Sequence, residues 1–165
     1  MAEFNSAENL NMNLAENLST DVMTGGLDER MFLYFRLSGS MKKADGVDII
    51  VSFLMESGVK MILKDLDQAL QRGAKIRILT GNYLGITQPS ALYLIKRKLG
   101  DQVDLRFYND PRRSFHPKAY MFHYDNYSEM YIGSSNVSRS ALTSGIEWNY
   151  RFNSQTDPQS YRKFY

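Results

Sequence analysis

The sequence FHPKAYMF at residues 115–122, followed by IGSSN at residues 132–136, decides the fold of this chain. Side chains of an extended strand alternate between two faces, so His116 and Lys118 are predicted to point to the same face. The second segment is predicted to end the neighbouring strand, after a polar turn at residues 125–128. The two segments therefore predict a hairpin with a histidine and a lysine at one end, beside a Gly-Ser-x-Asn turn.

An imidazole beside a fixed ammonium suits phosphoryl transfer. His116 is the candidate nucleophile that attacks phosphorus, and Lys118 would neutralise charge on the phosphate oxygens. Gly133 would allow close backbone approach, while Ser134 and Asn136 are candidate donors to the phosphate. The competing interpretation is that the His-x-Lys pair is a chance occurrence and that the two polar residues only cap the next helix. The ordered combination of both segments favours the catalytic interpretation.

Strand and helix patterns alternate along the rest of the chain. The β-branched run at residues 47–54 predicts a strand covered on both faces. Ser57 is predicted to begin an amphipathic helix that Gly73 ends. Further strands are predicted at residues 76–79, 103–107 and 146–152, and further helices at 28–43, 90–99 and 138–143. This alternation predicts an α/β fold with a central mixed sheet flanked by helices.

The combination of His116-Pro117-Lys118 with Gly133-Ser134-Ser135-Asn136 resembles the signature of the phospholipase D superfamily. The resemblance covers about residues 47–152. Residues 78–87 and 138–149 look like the nuclease-like domain that precedes helicase motors in some bacterial DEAD/DEAH-type proteins, and like the catalytic half of certain metal-independent restriction enzymes. The resemblance implies a phospholipase D-like sandwich that cleaves nucleic-acid phosphodiester bonds without metal, through a covalent phosphohistidine.

The chain departs from the family signature at one position. The third signature residue, an aspartate about five positions after the lysine, is replaced by His123. We expect His123 to face away from Lys118 and to have a structural role. Asp125 is a candidate substitute for the missing acid, but its spacing from Lys118 differs from that of the signature. Glu147 resembles an acid that orients the histidine in single-motif nucleases, where a carboxylate would fix the imidazole tautomer. The alternative is that Glu147 is an ordinary surface carboxylate.

Residues around the motifs are candidates for substrate binding. Arginines beside an active centre bind flanking phosphates in a salt-dependent, sequence-independent way. The candidates are Arg112, Arg113, Ser135 and Arg139. We expect no metal and no cofactor, because the acids are scattered and no metal-ligand spacing is present. A Gly-x-x-x-x-Gly-Lys loop is also missing, so the segment does not resemble an ATPase motor.

Only one copy of the motif pair is present. By resemblance, single-copy members form two-fold dimers that bring two copies of His116 to a shared centre. One would attack phosphorus and the other would protonate the leaving oxygen. We therefore expect a homodimer with a shared active site, acting on nucleic acid and in particular on DNA.

The composition is that of one domain. The chain has 165 residues, a formal charge of +2 and no cysteine, which excludes disulfides and thiolate metal sites. No apolar run approaches the ~20 residues of a membrane span, and the acidic N-terminus is unlike a secretory signal. A cytoplasmic protein without membrane contact is expected.

The chain is expected to have two parts. Residues 1–27, in which Ala-Glu-Asn-Leu recurs at 7–10 and 15–18, are predicted to form a flexible or partly helical arm. Leucines four apart would line one helical face, which could dock on a partner subunit. Residues 28–165 are predicted to form the phospholipase D-like domain, with a helicase region further along the same protein.

Two other functions remain open at this point. One is a non-catalytic DNA-binding or dimerisation module of a helicase, which the replacement at His123 would suit. The other is a phosphodiesterase that acts on lipids or other small diesters instead of nucleic acid. Retention of the catalytic set, His116, Lys118, Ser134, Asn136 and Glu147, favours the nuclease.

Overall fold

The computed structural model describes residues 21–165, and the leucine repeat of the predicted arm lies outside this range. The described chain forms one seven-stranded sheet in the order β1-β7-β6-β5-β2-β3-β4. The strands are β1 (Val22–Gly25), β2 (Gly46–Val51), β3 (Lys75–Gly81), β4 (Val103–Tyr108), β5 (Lys118–His123), β6 (Ser128–Gly133) and β7 (Ile146–Asn153). The helices are α1 (Leu33–Met41), α2 (Glu56–Gln71), α3 (Pro89–Leu99), α4 (Arg139–Leu142) and α5 (Pro158–Phe164). Single 3-10 turns lie at Glu29–Met31, Tyr83–Gly85 and Gly100–Gln102.

The sheet is mixed because β2 pairs differently on its two sides. It runs parallel to β3 and antiparallel to β5, and β3 runs parallel to β4. The pairs β5–β6, β6–β7 and β7–β1 are antiparallel. Consequently Val51, Gly81, Tyr108 and Gly133 end their strands where Lys118 begins β5. We call this end of the sheet the motif edge.

Helices α1 to α4 contribute to the main core, which lies on one face of the sheet. The apolar positions of α2 recur every three or four residues, so they form a continuous stripe toward the sheet. Alternate residues of β2 and β5 meet this stripe, as expected for a strand covered by a helical layer. The fully buried residues of this core include Val47, Ile49, Val51, Val59, Leu66 and Phe122. The predicted α/β fold with a mixed sheet flanked by helices is confirmed.

The second face of the sheet carries a smaller core beneath α5. Met121, Met130, Phe152 and Tyr161 pack together there. Asp48 also lies on this face and is 5% exposed. An unpaired carboxylate would be costly at this depth, so its partners decide whether it is tolerated.

Asp48 is paired with both His123 and Arg77. Its carboxylate accepts hydrogen bonds from Arg77 Nε and Nη2 at 2.6 and 2.5 Å and lies 2.8 Å from His123 Nε2. Burial by itself would raise the pKa of Asp48, but the hydrogen bonds from His123 and Arg77 outweigh it, and the net shift is downward. His123 therefore has the expected structural place, away from Lys118. Asp125 is exposed in the β5–β6 turn and does not substitute for the family acid; the acid near position 123 is Asp48.

The structure differs from the predicted elements at both ends of the described chain. Residues 22–25, assigned to the arm, form β1 and pair with β7, so the folded part begins before residue 28. The pairing joins segments more than 120 residues apart, which local sequence patterns do not reveal. Asp28 caps a 3-10 turn, and the helix predicted from that point begins only at Leu33. α5 was not predicted, although Asp157 caps it and Pro158 occupies its first turn.

No helix in residues 21–165 combines the length and apolar character needed to cross a bilayer.

Close packing between α2 and the loop after β6 gives a stability test. A Cβ added at Gly58 would lie 2.4 Å from the backbone carbon of Val137, so Gly58→Ala should lower the free energy of unfolding by about 1–3 kcal/mol. Gly39→Ala is the matched control, because nothing lies within 4 Å of its Cβ position in α1. It should be neutral or stabilising by up to ~1 kcal/mol through helix propensity. Urea unfolding of both variants would reveal the difference, and equal stabilities would contradict this packing.

Candidate active site

His116 and Lys118 come together at the motif edge. His116 lies in the loop just before β5, and Lys118 is the first residue of that strand. Lys118 Nζ lies 2.8 Å from Nε2 and 2.9 Å from Nδ1 of the imidazole. The ammonium also donates to the His116 carbonyl oxygen at 3.0 Å. The Lys118 ammonium thus contacts both the imidazole and the backbone carbonyl of His116.

The two side chains differ sharply in exposure. Lys118 is only 8% exposed, whereas His116 is open to solvent. No carboxylate among residues 21–165 lies within ion-pair distance of Lys118 Nζ, although Glu147 is near enough to act on it through space. A desolvated cation without a counter-ion favours the arrival of an anion. The exposed imidazole lies where that anion would enter.

Ser134 and Glu147 form a second pair at the same edge. The Ser134 hydroxyl donates to Glu147 Oε2 and accepts from the backbone N–H of Trp148 at 3.0 Å. Glu147 was expected to orient His116, but its contact in the described chain is with Ser134. The carboxylate holds the serine hydroxyl in place instead.

Gly133 allows the backbone of β7 to approach β6 closely, whereas the expected close approach was that of a ligand. A Cβ at this position would lie 2.1 Å from the Trp148 carbonyl oxygen of β7. The glycine of the Gly-Ser-x-Asn segment therefore lets β6 and β7 pair at the point where Ser134 leaves the sheet.

Asn136 is oriented by the end of β2. Its Oδ1 accepts a hydrogen bond from the backbone N–H of Phe53 at 3.2 Å, and the residue is 6% exposed. Because the oxygen of the amide is engaged by an obligatory donor, the amide nitrogen is the end left to donate to a ligand. This orientation suits the expected role as a phosphate donor.

Ser135 has a different place from the one expected. It is fully buried, its hydroxyl donates to the Ala141 carbonyl at 3.0 Å, and it accepts from Asn149 Nδ2 at 2.9 Å. A hydroxyl engaged in this way cannot reach a phosphate, so Ser135 fixes the loop and does not contact the substrate. Side chains in a turn do not alternate regularly as they do in a strand. The sequence therefore did not reveal that the Ser135 side chain points inward.

The three arginines also differ from one another. Arg112 is exposed and forms an ion pair with Asp110 at 3.0 Å. Arg113 is exposed, and its guanidinium has no ion pair among residues 21–165. Arg139 is exposed at the start of α4, where its backbone N–H donates to Ser57 Oγ. Arg113 is therefore the arginine of the His116 loop whose charge is available to a ligand.

Two residues at the site were missed by sequence reasoning. Tyr83, just after β3, packs its ring on the His116 imidazole with centroids 4.3 Å apart. Ser52, just after β2, donates to the Pro117 carbonyl at 3.2 Å and so fixes the loop between His116 and Lys118. A usable signal existed, because residues at the carboxyl ends of parallel strands gather at one edge of a sheet.

The pKa values of His116 and Lys118 are both lowered. Desolvation lowers the pKa of His116, and the neighbouring Lys118 charge lowers it further. Burial lowers the pKa of Lys118, while the Glu147 carboxylate opposes that change. A lowered histidine pKa keeps the imidazole neutral near pH 7, and the neutral imidazole is the nucleophilic form.

No site for a metal ion is apparent in the part of the chain that the structure covers, since no three His, Cys, Asp or Glu side chains gather there.

The family model described as "Cardiolipin synthase, PLD-like domain" matches residues 38–164. No curated protein sequence matches the chain significantly.

Solved structures share the fold at low sequence identity. NucT from Helicobacter pylori is 16% identical with a TM-score of 0.62, over 87% of this chain and 90% of that one. The phospholipase D family member Nuc from Salmonella typhimurium is 20% identical with a TM-score of 0.57, over 79% and 82%. The phosphatidylserine synthase of Haemophilus influenzae is 13% identical with a TM-score of 0.60, over 87% of this chain and 36% of that one.

The charge of Lys118 should be visible in the titration of His116. Lys118→Met removes that charge, so the pKa of His116 should rise toward its ordinary value. The measurement is an NMR titration of the imidazole Cε1 proton, assigned with His116→Asn. Lys64→Met, a change of an exposed lysine on α2, should leave the His116 titration unchanged. An unchanged His116 pKa in Lys118→Met would contradict the contact.

Proposed function

Because the chain belongs to the phospholipase D-like domain family, we propose that it is a metal-independent nuclease with His116 as its nucleophile. Family membership and fold support phosphodiester cleavage in general. The choice of nucleic acid, and of DNA in particular, rests on the resemblance of residues 78–87 and 138–149 to nuclease-like domains of helicase-type and restriction proteins.

One observation carries the proposal. Lys118 is largely buried, its ammonium contacts His116, and no carboxylate among the described residues lies at ion-pair distance from it. A structural lysine at this depth would be expected to have a counter-ion. A phosphodiester supplies the missing negative charge, and its phosphorus then lies next to the imidazole.

The proposed reaction has two displacements at phosphorus. In the first, a ring nitrogen of His116 bonds to phosphorus, and the bond from phosphorus to the leaving oxygen breaks. Lys118 and the Asn136 amide stabilise the charge on the remaining phosphate oxygens. In the second, water attacks the phosphohistidine and the nitrogen–phosphorus bond breaks. Division into two steps lowers the barrier of each.

The leaving oxygen needs a proton, and the described site does not contain a second histidine to supply it. The chain has two histidines, and the other one, His123, is bonded to Asp48 on the second face of the sheet. His116 itself is exposed, so a second copy of the chain can reach it. We therefore place the acid on His116 of a second copy, in a homodimer with a shared centre. The negative charge of the bound diester would favour the protonated form of this second imidazole, which gives its proton to the leaving oxygen and takes one back from the attacking water in the second step.

The cleavage chemistry is tested with a chromogenic phosphodiester and with DNA, both in excess chelator. Wild type should cleave both, and His116→Ala should lose roughly 10³-fold or more, because a nucleophile cannot be replaced by its neighbours. His123→Gln is the matched control on the other histidine and should retain activity, with a loss of stability as its main effect. Cleavage of the chromogenic diester alone would indicate a small-molecule phosphodiesterase. No cleavage by a folded protein that binds DNA would indicate the non-catalytic module.

The shared centre is tested by mixing. His116→Ala chains are exchanged into wild type at increasing ratio, and activity per wild-type chain is measured together with mass by light scattering. A shared centre predicts that mixed dimers are inactive, so activity per wild-type chain should fall as the mutant fraction rises. Activity that stays proportional to the wild-type chains, or an active species with the mass of one chain, would contradict the dimer.

A further inference from the structure

A separate cleft opens beside His116 at the motif edge. It has a volume of about 440 Å³ and lies between the ends of β3 and β4 and the loop that leads into β5. Its lining combines three aromatic rings, Leu84 and Arg113 with the polar residues Asn82, Asn109, Asp110 and Ser114. This volume is within the range of sites that hold small organic groups.

Part of the cleft wall is aromatic. Tyr108 and Phe115 stack with their centroids 4.7 Å apart and their planes 20° apart. Tyr83 lies on the same cleft and also contacts the His116 imidazole. Tyr83 thus contacts the proposed nucleophile His116 and also lines the cleft. A group bound in the cleft would therefore lie next to the phosphorus that His116 attacks.

The chain is shaped to keep this cleft in place. A Cβ at Gly81 would lie 2.9 Å from Phe115 Cδ1, so a larger residue there would displace the ring from its place beside β3. Leu84 at the rim has a φ of 52°, in the left-handed region that non-glycine residues rarely adopt, and its side chain is 78% exposed. Strained residues with exposed apolar side chains are concentrated at ligand sites.

Arg113 adds a positive charge at the edge of the cleft. It lines the cleft and has no ion pair among the described residues, in contrast to Arg112 beside it. The one carboxylate of the lining, Asp110, is already paired with Arg112, so the guanidinium of Arg113 is the charge left for a ligand. Aromatic rings beside an available guanidinium fit a group that is aromatic on one side and anionic on the other. A nucleotide has this chemistry, since its base has a π-face and its phosphate a negative charge.

We infer that this cleft binds an unpaired nucleobase next to the scissile phosphate, which makes single-stranded nucleic acid the substrate. The inference rests on the proposed nuclease function and specifies its substrate. A base in a duplex is stacked on both faces and paired along one edge. It therefore cannot enter the cleft without first leaving the double helix. Single strands present such bases without that cost.

Binding is measured separately from cleavage. Single-stranded oligonucleotides with one 2-aminopurine at successive positions are mixed with the full chain, and fluorescence is recorded by stopped flow before turnover. Stacking on the rings should quench one position most strongly. At equal salt, the same sequence as a duplex should bind at least about tenfold more weakly, given the stacking lost.

A matched pair of variants isolates the ring. Tyr108→Phe keeps the aromatic face and should bind and quench like wild type. Tyr108→Leu removes the face and should weaken single-strand binding by roughly tenfold, with the quenching lost. An abasic residue at the quenched position is a second arm that needs no variant. It should lower binding and the cleavage rate by a similar factor for wild type and have little effect for Tyr108→Leu.

The outcomes separate the two proposals. Equal binding of duplex and single strand, or no effect of the abasic residue, would overturn the cleft assignment even if DNA is cleaved. Position-specific quenching that depends on the Tyr108 ring supports the assignment even if cleavage is absent, in which case the nuclease function fails alone.

Discussion

The whole arrangement depends on the pairing of β2, which is parallel to one neighbour and antiparallel to the other. Parallel pairing brings the end of β3 to the same edge as the end of β2, and antiparallel pairing brings the start of β5 there. Residues from three distant parts of the sequence therefore meet at one edge. Ser52, Tyr83 and Lys118 are neighbours of one site because of this single change of strand direction.

The chemistry of the site follows from unequal exposure within one hydrogen-bonded pair. Lys118 lies in a low-dielectric environment that strengthens its field, while His116 stays accessible to a ligand. Burial and the neighbouring charge lower the pKa of the histidine, so the same contact that attracts an anion also keeps the imidazole in its nucleophilic form. Ser134 and Asn136 lie at the same edge and are each oriented by a backbone N–H, and Glu147 is bonded to Ser134.

The sequence predicted the central part of this site and missed its surroundings for identifiable reasons. The proximity of His116 and Lys118 was readable from their spacing of two in an extended segment, although His116 lies in the loop before β5 and not in the strand. The inward direction of Ser135 was not readable, since turns have no such period. The contact of Tyr83 with His116 joins residues 33 positions apart and depends on how a loop after β3 bends. β1 was missed because its partner strand lies at the other end of the chain.

The network on the second face has a consequence for how this sequence can change. Position 123, where the superfamily signature has an aspartate, carries a histidine whose ring is bonded to Asp48 on the adjacent strand. In this chain the acid of the pair lies on β2 and its histidine partner on β5. Aspartate at position 123 alone would place two carboxylates side by side, and the pKa of one of them would then be raised. Positions 48 and 123 are therefore expected to covary, so that one substitution is accepted in a lineage only with the other.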